Sequence, residues 1–446
     1  MLLIGNGRLI TRDDANPFLE DGAVLIDGNT IKEVGTTAEL KAKNKDAEYI
    51  DAKGQVIMPG LINMHEHIYS AMARGLAIKG NNPQNFLEVL DGTWWTIDRN
   101  LTNEDTKYSA YTTLIEGIRN GVTTVFDHHA SFGEIRGSLN TIADVSRELG
   151  IRACLCYETS DRDGKEKLDQ AIDENVDFIK YANKENNDMI KGMFGMHAPF
   201  TLSNDTLERC AAHAKELGVG FHIHVAEGFD DLKFSLRDHS QRLINRLYDY
   251  NILGEKTMTV HCIYIDEREM DILKDTNTML CHNPESNMGN AVGTSPVLKF
   301  MEKGLLVGLG TDGYTHDVIE SYKVANCMQK LNAMNPSVAW GEIPQMLFYN
   351  NREMANRYFE KPLGILKPGA AADVIIADYL PRTPMTKDNV NSHILFGMSG
   401  RQVNTTIIDG KVVMKDRVLV NIDEEAIYAK SRETADKLWT RINSGR

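Results

Sequence analysis

Residues 56–67, VIMPGLINMHEH, run from an unbroken apolar stretch through Pro59-Gly60 into a His-x-His. A short apolar run of this kind reads as a strand buried on both faces, the habit of parallel sheets. Side chains two apart on a strand project to the same side, so His65 and His67 can aim both imidazoles at one point. Imidazole nitrogens suit zinc, iron and similar borderline metals. Alone the pair is a weak signal, because two packing or surface histidines would look the same. Its weight comes from what recurs downstream.

Seven more segments of the same kind follow: VTTVFDHH (122–129), RACLCYETS (152–160), IKGMFGMHAP (190–199), VGFHIHVAE (219–227), MTVHCIYI (258–265), TMLCHNP (278–284) and LLVGLGTDG (305–313). Helical stretches separate most of them. Eight such units predict an α/β chain with a (β/α)8 TIM-like barrel over residues 56–363, whose reactive groups sit at the C-terminal ends of the strands. Every histidine-bearing motif lies at such an end. A barrel converges these ends, bringing His224, His261 and Asp312 toward His65 and His67. Neutral histidines and a carboxylate buried at one point are costly without a metal or tight pairing, so a shared ion is the economical explanation.

The flanks differ. Residues 1–55 alternate apolar and polar in short runs such as GAVLIDGNTIKEVG (22–35), with no evident helix, and the pattern returns over 364–425 in ADVIIADY and VNTTIIDGKVVMKDRVLV. The two ends therefore predict one small composite β-sandwich domain, 1–55 plus 364–425, with the barrel inserted between them. In the tail, 426–446, Ala435, Leu438, Trp439 and Ile442 are spaced as the apolar face of a helix packed on the body.

A net charge of −14 with no basic stripe argues against a nucleic-acid partner. No apolar run is long enough to span a bilayer, and MLLIGNGRLITRDD (1–14) lacks the basic start of a secretory signal, so a soluble cytoplasmic protein without a membrane partner is expected. The six cysteines show neither metal-ligand spacing nor the density of a disulfide scaffold; Cys154 and Cys156, in an apolar strand, read as same-face core residues.

Taken in order, PGLINMHEH, HIHVAE, VHC, HNPESNMG and GTDG, followed by LGILKPGAAADVIIAD, resemble the amidohydrolase superfamily over almost the whole chain. The likeness is to the branch holding cytosine, guanine and S-adenosylhomocysteine deaminases and triazine chlorohydrolases. ARGLAIKG, NPQNF, WWTIDRNL and FDHHAS further resemble the SsnA-type aminohydrolases, a likeness that implies no settled substrate. The resemblance implies one divalent metal ion, zinc favoured over iron, held by His65, His67, His224 and Asp312. Binuclear branches need a carbamylated lysine after strand four, where this chain has GMHAP (195–199), so a mononuclear site is favoured.

The same resemblance assigns catalysis to Glu227, His261 and Asp312: a general acid and base, a histidine that orients the water, and a ligand that also takes the water's proton. His197 and His282 match positions that contact substrate, although a structural role suits His282 equally. Arg74 and Trp95, with Trp94, lie on the long connection after strand one, where a substrate-lining segment is expected; tryptophans also simply pack, and Arg74 can form an ion pair. His222 suits a supporting hydrogen bond and Glu66 a structural role. Of His128 and His129 only one can face the site, and alternation does not say which. The implied reaction is hydrolytic deamination of a nitrogen heterocycle by metal-activated water. Hydrolytic dechlorination and cyclic-amide hydrolysis are the alternatives, and the complete motif set disfavours a non-catalytic metal-binding protein. The expected partner is a small heterocyclic molecule, and relatives imply a homo-oligomer, a dimer or larger.

Overall fold

In the computed structural model, which describes residues 1–185 and 187–444, the apolar run 56–67 splits into two strands with different partners. Val56–Pro59 pairs antiparallel with Val374–Ala377 and parallel with Leu2–Ile10, whereas Leu61–Glu66 pairs parallel with Val122–His129. The expected boundary at residue 56 is thereby corrected: Val56–Pro59 belongs to the small domain, and the barrel begins after Gly60. Both strands are buried throughout, so no periodicity could reveal the break between them. Glycine is required at the junction because a Cβ on Gly60 would stand 2.2 Å from Thr123 Cγ2.

The small domain is a mixed sheet of nine strands in which Val56–Pro59 and Val374–Ala377 join the N- and C-terminal pieces. Leu2, Ile26, Ile57, Val374 and Ile407 from both pieces share one buried core, each such side chain contributing about 1.5–3 kcal/mol. The N-terminal piece also contains a helix, Thr37–Lys43, where none was expected; Thr36 caps it by accepting the Glu39 N–H.

The eight barrel strands are Leu61–Glu66, Val122–His129, Arg152–Tyr157, a fourth in two pieces (Ile190–Gly192 and Phe194–Met196), Phe221–Val225, Met258–His261, Met279–His282 and Val307–Leu309. All their residues except Lys191 are buried, as expected of a parallel sheet covered by helices. Their hydrogen bonds form two parallel arcs, because the first piece of strand four pairs with strand three and the second with strand five. The arcs meet at two isolated parallel bridges, Thr159 with Met196 and Glu66 with Asp312. At the second bridge the N–H groups of Thr311 and Asp312 donate to the His65 carbonyl at 3.0 and 2.9 Å, which sets Asp312 beside the His-x-His.

Helices such as Ser138–Leu149 bury Leu139, Ile142, Ala143, Ser146 and Leu149 along one stripe. Cys154 and Cys156 share an interior cluster with Met258, Val260 and Cys281, and burial pushes both thiols up, consistent with inert core residues. The last helix, Glu424–Ser444, packs on Asn103–Arg119; Gly445 and Arg446 lie outside the described residues. Among the described residues no helix is long and apolar enough to cross a membrane.

Candidate metal centre and active site

Strands one, five and eight deliver His65, His67, His224 and Asp312 to one buried point. His67 Nε2 and His224 Nε2 lie 3.2 Å apart, and Asp312 Oδ1 is 3.3 Å from His67 Nε2 and 3.8 Å from His65 Nε2. The second nitrogen of each ring is already committed. His67 Nδ1 donates to the His128 carbonyl at 2.6 Å and His224 Nδ1 to the His197 carbonyl at 2.9 Å, while His65 Nδ1 meets His222 Nε2 at 2.8 Å. With their protons on Nδ1, the rings of His67 and His224 turn two lone pairs on each other, an arrangement that repels unless a cation lies between them. Two nitrogens each about 2.0–2.1 Å from a tetrahedral zinc would stand roughly 3.3 Å apart, close to the spacing seen. His65 Nε2 is buried with no hydrogen-bond partner among the described residues. Burial, reinforced by the neighbouring imidazoles, holds His65 well below its ordinary pKa, and burial with His67 holds His224 at about 3. These rings are neutral and ready to ligate. The carbonyls that orient them are the outer support expected of metal-binding histidines.

Beyond the ligands stands a second cluster. His261 Nε2 is 3.4 Å from Asp312 Oδ2 and 3.5 Å from Glu227 Oε2. A closed chain fixes the His261 tautomer: Ser295 Oγ donates to the His261 carbonyl, Asn287 Nδ2 donates to Ser295 Oγ, and Asn287 Oδ1 therefore accepts from His261 Nδ1 at 2.8 Å. Burial, then Asp312, pushes Glu227 well above the ordinary carboxyl range. Burial alone would raise Asp312 too, but His67, His261 and His224 hold it low. Burial also lowers His261. The two carboxyls are thus driven in opposite directions. Strand ends five, six and eight turn through left-handed backbone at Ala226 (φ 53°), His261 (φ 72°), Cys262 (φ 50°) and Asp312 (φ 57°). Non-glycine residues seldom adopt this conformation, and such strain concentrates at functional sites.

A cavity opens above this cluster. His67, His224, Glu227 and Asp312 lie at it; Tyr69, Phe86, Leu90, Trp94 and Trp95 form an apolar wall, and His197, Ser286, Asn290, Tyr314 and Glu158 line it further. The structure thus brings Trp95 and His197 to the cavity but not two other expected contacts. The Arg74 guanidinium instead pairs with Glu116 at 2.8 Å on the surface, just past the Ile68–Ala73 helix. His282 ends a buried four-residue strand, and the helix after it, Pro284–Gly289, carries Ser286 to the cavity. His128 is the member of its pair that faces inward, its ring 4.6 Å from that of His224, while His129 turns to Ser131. Glu66 contacts His316 and Asn63, away from the metal ligands. Glu158, at the end of strand three, lines the cavity without having been singled out; its only sequence signal was its place in CYETS.

The model of the amidohydrolase family matches residues 56–413, and that of a bacterial imidazolonepropionase-like composite domain matches 22–44. A 5'-deoxyadenosine deaminase of Methanobrevibacter smithii is 33% identical over 424 residues, covering 94% of each chain. A 5-methylthioadenosine/S-adenosylhomocysteine deaminase of Syntrophomonas wolfei is 31% identical over 449 residues, covering 98% of this chain and 99% of its own. In fold, the chain resembles an adenosine deaminase of Xanthomonas campestris with bound zinc (TM-score 0.87, 21% identity, 98% of each chain). It also resembles the zinc-complexed atrazine chlorohydrolase TrzN of Arthrobacter aurescens (TM-score 0.83, 22% identity, 98% and 100%). With a matching family model over most of its length and relatives above 30% identity end to end, this chain belongs to the amidohydrolase family.

Proposed function

We propose that the protein is a mononuclear, zinc-dependent aminohydrolase that removes an amine by hydrolysis from an adenosine-type nucleoside. The observation that carries this reading is geometric: His65, His67, His224 and Asp312 converge on one point, with His67 Nε2 and His224 Nε2 3.2 Å apart, and Glu227 and Asp312 both face His261 Nε2, at 3.5 and 3.4 Å. Carboxyls whose surroundings push them apart suit acid and base roles. An ion held by His65, His67, His224 and Asp312 would supply Lewis acidity that makes water a nucleophile at neutral pH.

The chain's own residues do the rest. The apolar wall of Trp94, Trp95, Phe86 and Leu90 holds a planar ring and excludes bulk water. Asp312 accepts one proton as the water oxygen bonds to the ring carbon, and Glu227 gives its proton to the adjacent ring nitrogen. His261, its Nδ1–H tied to Asn287, keeps its Nε2 toward both carboxyls and orients the water. When the carbon–nitrogen bond breaks, the electron pair leaves on nitrogen, and a proton relayed by Glu227 completes ammonia. Loss of chloride would use the same ring-nitrogen proton, so the amine is favoured on the relatives, which are named as deaminases of adenosine derivatives. This reading takes the protein as a cytoplasmic homo-oligomer acting on a small heterocyclic molecule. Its test is product analysis with 5'-deoxyadenosine, 5'-methylthioadenosine, S-adenosylhomocysteine and a chlorinated triazine. Ammonia from a nucleoside supports it; chloride alone, or no product from any of them, overturns it.

A further inference from the structure

The cavity holds a carboxylate that the proposed reaction does not use. Glu158 is anchored by its backbone N–H, which donates to the His129 carbonyl at 2.7 Å, and its side chain lines the cavity. Two polar groups stand near its carboxylate, Arg162 Nη2 and His128 Nδ1, each at 3.5 Å. Arg162 is an ion-pair neighbour, but neither group donates a hydrogen bond to the carboxyl at this distance. The Arg162 guanidinium is committed to Asp98, with contacts at 2.5 and 3.3 Å, reaches Asp163 at 3.3 Å, and is held by the rings of Phe132 and Trp95 at 4.0 and 5.1 Å. His128 Nε2 donates to the Met196 carbonyl at 3.0 Å, so the neutral ring offers Glu158 a lone pair rather than a hydrogen.

A buried carboxyl that accepts no hydrogen bond from the described residues is costly, and a donor on the cavity's occupant relieves that cost. Its position says which part of the occupant. One ligand atom each of Glu158, His128 and His224 lie within 4.8 Å of one another, so Glu158 addresses the deep end, beside the metal ligands. Glu227 faces His261 and Asp312 and receives Asn290 Nδ2 at 3.3 Å, so it is already engaged. A ring bound there meets a second carboxylate at a different edge from the one Glu227 serves.

We propose that Glu158 is a specificity-determining residue that accepts a hydrogen bond from an amino or ring N–H group of the bound heterocycle. This rests on the aminohydrolase reading and names a chemical requirement on its substrate. Burial, against the offsetting Arg162, raises the Glu158 carboxyl to about 8, and in either protonation state the group keeps an oxygen that accepts a hydrogen bond. The donor is either the departing amine or a second N–H.

The test uses zinc-loaded full-length protein as wild type, Glu158→Gln and Glu158→Leu, with zinc content and melting temperature checked for each. Calorimetry gives Kd for purine riboside, which has no N–H donor, and for inosine and 2-aminopurine riboside, which have one. A second N–H is read if wild type favours a donor-bearing probe by about 10- to 100-fold and the preference collapses in the Leu variant, with Gln between. The departing amine is read if probe affinities hold but the kcat/KM ratio of adenosine to 6-chloropurine riboside falls about tenfold or more in the variants. If neither ratio moves, the assignment of Glu158 is wrong. If no probe binds wild-type protein at all, the aminohydrolase reading fails first and takes this inference with it.

Discussion

Asn287 is buried and touches neither the expected ligands nor the cavity, yet replacing it should move a proton. Its Oδ1 receives His261 Nδ1–H at 2.8 Å and so fixes the tautomer that turns Nε2 toward Asp312 and Glu227, while burial lowers the pKa of the ring. Asn287→Asp preserves shape but puts a carboxylate where the amide oxygen stood. An opposite charge at that distance raises a histidine by roughly 1–3 pKa units, each unit being about 1.4 kcal/mol. The proton then prefers His261 to Glu227. The acid limb of kcat/KM should move up by about 1–3 pH units, and activity near neutrality should fall about 10- to 1000-fold. Asn287→Ala loses the hydrogen bond without adding charge and should cost only about tenfold, with its acid limb near that of wild type. The assay is the pH profile of ammonia release for the three proteins. An Asp variant with the wild-type profile, or an Ala variant shifted as far as Asp, would refute the proton account.

Other consequences are simpler. Arg74→Ala removes only a half-exposed pair with Glu116, so denaturant unfolding should change by less than about 1 kcal/mol. Its kcat/KM should stay within about twofold, and a tenfold loss would return Arg74 to the site. Arg162→Leu strands the buried Asp98 and removes the ion-pair neighbour of Glu158, and should cost about 3–5 kcal/mol by denaturant titration; a loss under about 1 kcal/mol would mean the guanidinium is dispensable. Glu158 holds its proton up to about pH 8 when folded, far above the ordinary carboxyl value of 4.5, so the folded chain binds that proton more tightly than the unfolded one. Its contribution is complete below about pH 4.5 and lost as pH rises to about 8. The stability of Glu158→Gln relative to wild type should therefore grow across that interval and level off above it; a difference independent of pH would contradict the burial argument.

The barrel was legible because its strands are buried on both faces and end in histidine, glutamate or aspartate, so VGFHIHVAE and LLVGLGTDG signal strand and site together. The junction within VIMPGLINMH was not, since two successive buried strands carry no periodicity to separate them. The donor set could be read from strand parity and family likeness, because side chains two apart share a face. Arg74 and His282 could not, since a loop's path and the depth of a strand end depend on packing across the barrel. Glu158 was invisible for the same reason: a glutamate ending an apolar strand usually meets water, and only the neighbouring elements carrying His128, Arg162 and Trp95 enclose it. The tautomer of His261 depends on Asn287 and Ser295, 26 and 34 residues away, and no local pattern encodes such a chain.

The central claim is a single-metal centre served by a protonated Glu227, and it is tested most directly by ammonia release from 5'-deoxyadenosine in wild type and Glu227→Gln at a measured metal-to-chain ratio. The account predicts about one zinc per chain in both proteins, with turnover in the variant lower by roughly 10²–10⁴. Two ions per chain in the wild type, or a zinc-loaded Glu227→Gln that releases ammonia at the wild-type rate, would contradict it.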